Sequence, residues 1–209
     1  MRGKTPDTTW LADTDILGGG HPALDFVNTI HSRMEPVPRD YLETTDHLLG
    51  WCLYQNFLSV ADARRLMTLS PARSTRLLRE ARTLRETLYI VFRSHIDGRR
   101  PATALEKFNR ALERSARWRA LTATKDGFVW HYLIDTGHPQ SLFAPLVFDA
   151  AELLRSPELA RLKACPPPDG CGWLFLDRSR NGSRTWCNMK TCGNVAKQRR
   201  HRARRRDNG

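Results

Sequence analysis

The chain has 209 residues, 40% of them apolar, and a formal charge of +12. That length suits one medium domain plus a small appended one, and the apolar share excludes disorder throughout. The charge is local: residues 161–209 hold 13 Lys/Arg against 3 Asp, while residues 1–160 hold 21 against 19 Asp/Glu, so a polyanion would meet its positive field at the C-terminal end.

Met1-Arg2-Gly3-Lys4 leads to Pro6-Asp7 rather than to an apolar signal core, and no run of about 18 apolar residues follows anywhere. The expectation is a cytoplasmic, reducing location with no membrane partner. Gly18-Gly19-Gly20 lacks the Gly-Lys-Ser/Thr ending and the preceding strand of a phosphate loop, and reads as a flexible lead into a helix starting near Pro22. On that helix Leu24, Val27 and Thr29 form no single clean face, but Asp25 neighbours Asn28 and Thr29. The plainer reading is that Asp25 and Asn28 satisfy backbone groups between packed helices. The functional alternative is a small-molecule pocket lined by His21, Asp25 and Asn28. Cys52, between Trp51 and Leu53, reads as a small packed residue.

Short helices are expected over Thr45–Gln55, Ser59–Met67 and Thr103–Arg117, the last with Leu105, Phe108 and Leu112 facing inward. A longer one starts at Ser70-Pro71, carries Leu77, Leu78, Ala81, Leu84, Leu88, Val91 and Phe92 at spacings of three and four, and stops at Gly98. Between Trp118 and Leu133, β-branched and aromatic residues split by Lys125-Asp126-Gly127 predict a two-stranded hairpin. A helix from about Ser141 to Leu154 tolerates Pro145 only in its first turn. Ser156-Pro157-Glu158 begins a new turn, which places the boundary between a domain over residues 1–160 and one over 161–209.

The second unit is built on cysteines. Cys165 and Cys171 enclose Pro-Pro-Pro-Asp-Gly, Cys187 and Cys192 enclose Asn-Met-Lys-Thr, and 15 residues separate the pairs. Each pair closes a short loop on one metal, and four thiolates with no vacant position point to a structural Zn2+ ion. Trp173 to Leu176, the Asn181-Gly182 turn and Thr185-Trp186 predict a second hairpin between the loops. A hairpin framed by cysteine loops and followed by a helix is the order of elements in a treble-clef zinc finger. The fold class is therefore α+β: a mostly helical N-terminal domain with a β-hairpin, plus a small treble-clef finger.

Asn194 is placed to cap a helix reaching about Arg206, with Val195, Ala196 and Ala203 as its inward residues. Lys197, Arg199, Arg200, Arg202, Arg204 and Arg205 crowd this helix, and Arg178, Arg180, Arg184 and Lys190 precede it. These ten are the candidate nucleic-acid contacts, with duplex DNA as the expected partner.

Cys171-Gly172-Trp173-Leu174-Phe175-Leu176-Asp177-Arg178-Ser179-Arg180-Asn181, Arg184, Trp186-Cys187-Asn188-Met189 and Cys192-Gly193-Asn194 together resemble the CGNR zinc finger. Gly20-His21-Pro22-Ala23-Leu24-Asp25-Phe26-Val27-Asn28-Thr29 resembles the opening of the ABATE domain, which precedes that finger in bacterial proteins described as stress-induced transcription regulators. The resemblance implies a DNA-binding zinc module with Cys165, Cys171, Cys187 and Cys192 as ligands, and an N-terminal domain that senses a small-molecule effector. It also implies a cytoplasmic, nucleoid-associated protein, with a homodimer as one expected assembly. Val195 stands where the family signature has arginine.

Two other classes compete with this regulator. A treble-clef nuclease needs a histidine on the hairpin as base and ligand, and none lies between His138 and His201, so no enzyme activity is expected. An RNA-binding or ribosome-associated protein would stack bases on Trp173, Phe175 and Trp186, of which at least two are expected to be buried.

Overall fold

The computed structural model describes residues 5–12, 18–33, 35–168 and 170–207, without the side chains of Arg200 and residues 203–207. A short turn of helix, α1 (Thr9–Ala12), precedes α2 (Pro22–Val27). All of Ala23 to Val27 are buried, which is why that segment shows no amphipathic face in the sequence. Two-residue strands β1 (Ile30–His31) and β2 (Arg39–Asp40) pair antiparallel, and α3 (Thr45–Tyr54) and α4 (Val60–Leu66) follow, capped by the Thr44 and Ser59 side chains.

Helix α5 (Pro71–Ile96) is the axis of the molecule. Pro71 supplies its first turn, Leu77, Ala81, Leu84, Leu88, Val91 and Phe92 bury one stripe, and Gly98 ends the exit with a φ of +65°. It packs against α2, α3 and α6 (Ala102–Ala116). On α6 the buried residues are Ala104, Phe108 and Ser115, and Leu105 is exposed. Phe108 is buried and Leu112 packs against the core as expected, but Leu105 faces solvent and Ala104 takes the inward position in its place.

The expected hairpin forms as β3 (Arg119–Thr124) and β4 (Gly127–Tyr132), in register from Arg119↔Tyr132 to Thr124↔Gly127. It is exposed on both faces along most of its length. A 3₁₀ turn over Pro139–Phe143 leads into α7 (Ala144–Arg155), with Pro145 in its first turn, and another 3₁₀ turn over Pro157–Arg161 leads out.

In the C-terminal unit β5 (Leu162–Ala164) pairs antiparallel with β6 (Leu174–Leu176). This corrects the expected hairpin across Asn181-Gly182: β6 uses the strand ahead of the first cysteine loop as its partner, and residues 177–186 are a loop. A π-helical turn over Met189–Gly193 runs directly into α8 (Asn194–Asp207). The capping side chain is that of Asn188, which accepts from the Lys190 N–H, and Asn194 instead donates to the Lys190 carbonyl. Ala196 is buried at the start of α8 but Val195 is 43% exposed, so Val195 does not pack inward as expected.

One contiguous apolar core runs from Leu11 through the helices to Phe175 and Cys192. The two units therefore share their interior. Among the described residues no helix is long and apolar enough to cross a membrane.

Candidate metal centre and nucleic-acid interface

The Cys165-Cys171 loop is the turn between β5 and β6, closed by the Cys165 N–H donating to the Trp173 carbonyl at 2.8 Å. Cys187 ends the following loop and Cys192 sits in the π-helical turn, so two turns and the root of a helix converge on one point. The four Sγ atoms lie within 4.8 Å of one another, with Cys171 to Cys187 at 3.4 Å and Cys187 to Cys192 at 3.8 Å. Thiolates about 2.3 Å from a tetrahedral zinc stand roughly 3.8 Å apart, whereas a disulfide needs about 2.05 Å. The geometry fits the metal and not a bridge, and all five cysteines of the chain are free thiols. Hydrogen bonding within the cluster, led by Cys171 on Cys165 and by Cys165 on the others, lowers Cys165 to about 7 and lowers Cys192, while it raises Cys171 and Cys187. Four soft ligands with no open position would hold a structural ion, one that shapes the finger.

The loop after β6 is organised by a buried carboxylate. Asp177 Oδ1 accepts from the Ser179 N–H and hydroxyl, and Oδ2 from the Arg184 N–H and the Lys163 ammonium, the last at 2.6 Å. Lys163 and Ser179 hold its carboxyl well below the usual carboxylate range. Arg184, expected to face nucleic acid, turns inward instead. Its guanidinium lies over the Phe175 ring, donates to the Trp186 carbonyl at 2.9 Å, and reaches the carbonyls of Cys187 and Gly18.

The other expected nucleic-acid residues divide. Arg178 pairs with Glu158 at 3.3 Å, and Arg180 and Lys190 are exposed. Lys197, Arg199 and Arg202 are exposed on α8, with Arg199 also donating to the Pro168 carbonyl at 3.1 Å. The side chains of Arg200, Arg204 and Arg205 lie outside the described residues. Trp173 and Phe175 are buried, and Trp186 is half-buried.

His21, Asp25 and Asn28 are brought together on α2 and its flanks, each with a defined partner. His21 Nδ1 accepts from the Ala23 N–H and stands 3.4 Å from Asp149 Oδ2. Asp25 Oδ1 accepts from the Gly19 N–H at 2.9 Å. The Asn28 carboxamide accepts from the Leu174 N–H and donates to the Leu174 carbonyl, and the Trp173 indole N–H donates to the Ile30 carbonyl at 2.7 Å. The opening motif thus grips the finger strand. A neighbouring cavity of about 820 Å3, between the β3–β4 hairpin and α7, is lined by Asp149, Arg119, Trp130 and Tyr132, and by none of those three.

Sequence reasoning missed Arg85, which is 2% exposed on α5 and makes a two-pronged pair with Asp40 at 2.7 and 2.8 Å. Burial works to raise the Asp40 carboxyl, and Arg85 more than offsets it, leaving it below its ordinary value. An arginine among many on a long helix carries no local signal of its depth.

Comparison with known families matches two models. The one described as "Putative stress-induced transcription regulator", ABATE, covers residues 20–157, and the one described as "CGNR zinc finger" covers residues 161–205. No curated protein matches the chain. The finger match and the four-cysteine cluster together indicate one structural zinc.

Proposed function

Since the chain belongs to the ABATE family and ends in a CGNR zinc finger, we propose that it is a DNA-binding transcription regulator whose helical domain senses a small molecule. The observation that carries the reading is the root of α8. The last thiolate, Cys192, sits in the turn that becomes this helix, and Ala196 is fully buried in its first turn. Zinc would therefore fix the helix at one end while Lys197, Arg199 and Arg202 stay exposed along it. Knuckle, strand, loop and helix follow in the order of a treble clef, which is how we read the finger.

The helix serves phosphates first. Like charges three and four residues apart repel by a few tenths of a kcal/mol per pair, and a phosphate backbone relieves this while releasing counterions. Arginines reach guanine edges as well as phosphates, so base specificity is a separate matter. With Val195 exposed at the signature position, one contact that an arginine would offer there is missing. Arg184 acts by holding the knuckle carbonyls, and Arg178, paired with Glu158, contributes less than the exposed Arg180 and Lys190.

Duplex DNA is favoured over single-stranded RNA because two of the three aromatic residues available for base stacking are buried. A catalytic role is not proposed, since the finger has no histidine between Cys165 and Cys192 to act as base. The test is a shift assay of the zinc-loaded protein with random duplex across a salt series. With five to eight phosphate contacts the log–log slope is expected to be about −4.5 to −7. Absence of retardation at low salt overturns the reading, and tighter binding of single-stranded RNA at the same salt would replace it with an RNA-binding one.

A further inference from the structure

Residues 1–160 are nearly neutral by count, yet the fold gathers six of their cations on one groove. Helices α5 and α6 are neighbours, and between them lies a cavity of about 490 Å3. Lys107, Arg110, Arg114 and Arg117 stand along the α6 side at spacings of three and four, and Arg76 and Arg79 along the α5 side. Glu80 is the single acid on this wall, and Arg76 already engages it at 2.9 Å. Among the described residues no ion pair reaches Arg79, Lys107, Arg110, Arg114 or Arg117.

The floor is different in kind. Leu84, Phe143 and Val147 make it apolar, and all three are buried in the core. Ser115 is set into the same wall at 6% exposure. A hydroxyl donor in a wall lined by cations that make no ion pair is suited to an anionic oxygen.

We infer that the α5–α6 groove is a binding site for an amphipathic organic anion, with a carboxylate or phosphate head among the α6 arginines and an apolar body on the Leu84/Phe143/Val147 floor. The volume falls within the range of about 300–1,000 Å3 that small-molecule sites occupy, and an apolar lining with few convergent polar groups is their usual construction. A nucleic-acid backbone would touch the rim cations but leave the apolar floor and Ser115 uncovered. The inference rests on the sensing half of the proposed function and is independent of DNA binding.

The test is isothermal titration of the full-length, zinc-loaded protein in the absence of DNA, with dodecanoate and dodecyl phosphate as probes below their micelle concentrations. Dodecyltrimethylammonium is the control of opposite charge. The expected result is one site per chain at micromolar affinity for at least one anion, with the better of the two identifying the head group. In the Arg110→Gln/Arg114→Gln variant the affinity should fall at least tenfold, and in Ser115→Ala two- to fivefold. Both positions of the arginine variant are solvent-exposed, so its circular dichroism should match wild type. Asp149→Asn, in the neighbouring cavity, should leave the affinity unchanged. Failure of both anions to bind overturns the inference, as does equal binding of the cation. So does an arginine variant that loses duplex affinity while retaining dodecanoate, which would make the groove a DNA surface. A wild type that binds dodecanoate but not DNA refutes the DNA-binding reading alone.

Discussion

The carboxamide of Asn28 closes a two-bond ring on the backbone of Leu174: Oδ1 accepts from its N–H and Nδ2 donates to its carbonyl, each at 2.9 Å, across 146 positions of sequence. Asn28 is 1% exposed and Leu174 fully buried, so water cannot replace either bond. Asn28→Ala leaves a backbone donor and acceptor unpaired. At about 1–3 kcal/mol for each group, the expected loss is about 2–6 kcal/mol. Urea denaturation measures the loss, and hydrogen exchange at the Leu174 amide should accelerate in parallel. A loss under about 0.5 kcal/mol with unchanged exchange would mean that the clamp carries no weight.

Gly170 is the position at which the zinc loop tolerates no side chain. A Cβ there would lie 2.7 Å from Cys165 Sγ and 2.4 Å from the Pro166 carbonyl. Gly170→Ala must therefore displace the first ligand or its backbone, and zinc affinity should fall at least tenfold in competition with a chromophoric chelator. Cys187→Ala should lose the metal altogether. Apparent zinc-binding free energies in small fingers run to roughly 10–16 kcal/mol, so the finger should loosen and Trp173 emission shift to the red. Stoichiometric zinc in both variants would contradict the four-cysteine assignment.

The Arg85–Asp40 pair ties strand β2 to α5. Asp40→Ala strands a guanidinium that is 2% exposed, and removing one partner of such a pair costs about 3–5 kcal/mol. Thr29 Oγ1 and Glu86 also accept from Arg85, which puts the expected loss at the lower end. The double variant Asp40→Asn/Arg85→Met removes the buried charge itself and should recover at least half of it. A double variant as unstable as Asp40→Ala would show that packing of the arginine stem, and not charge, is what matters there.

Legibility followed the range of the interaction. Helix α5 and the four cysteines were readable because their signals are local: apolar spacing in one case, paired thiols in the other. The partner of β6 was not. Asn181-Gly182 has the chemistry of a tight turn, and Gly182 does adopt a φ of +60°, but the returning segment is taken up by Asp177 and Arg184 before it can pair. A buried carboxylate that collects Lys163, Ser179 and the Arg184 N–H leaves no periodic trace. The same holds for α2, which is buried all round, and for Asn28, whose partner is on the far side of the chain. The basic groove escaped because charge was counted along the sequence, while the fold sums it across two helices.

The buried carboxyl of Asp25 predicts a stability that falls as pH rises. Burial lifts it to about 7, against the pull of the Gly19 N–H that donates to Oδ1, and the nearby Asp149 is itself lifted to about 6 by burial. In the unfolded chain an aspartate titrates near 3.9. Between roughly pH 4 and 7 the folded protein keeps a proton that the unfolded chain has released, so unfolding sheds it. The contribution is fully present below the unfolded value, declines by about 1.4 kcal/mol per pH unit at its steepest, and is gone above the folded value. Asp40 and Asp177, both held low, act in the opposite sense and only at more acid pH, so the comparison between variants is the clean measurement. Asp25→Asn keeps an acceptor for Gly19 and cannot ionise. Urea midpoints of the two proteins should lie closest together near pH 4 and separate steadily by pH 8, with the asparagine variant the more stable there. Midpoints that stay parallel from pH 5 to 8 would place the Asp25 carboxyl back at its ordinary value and remove burial as the force acting on it.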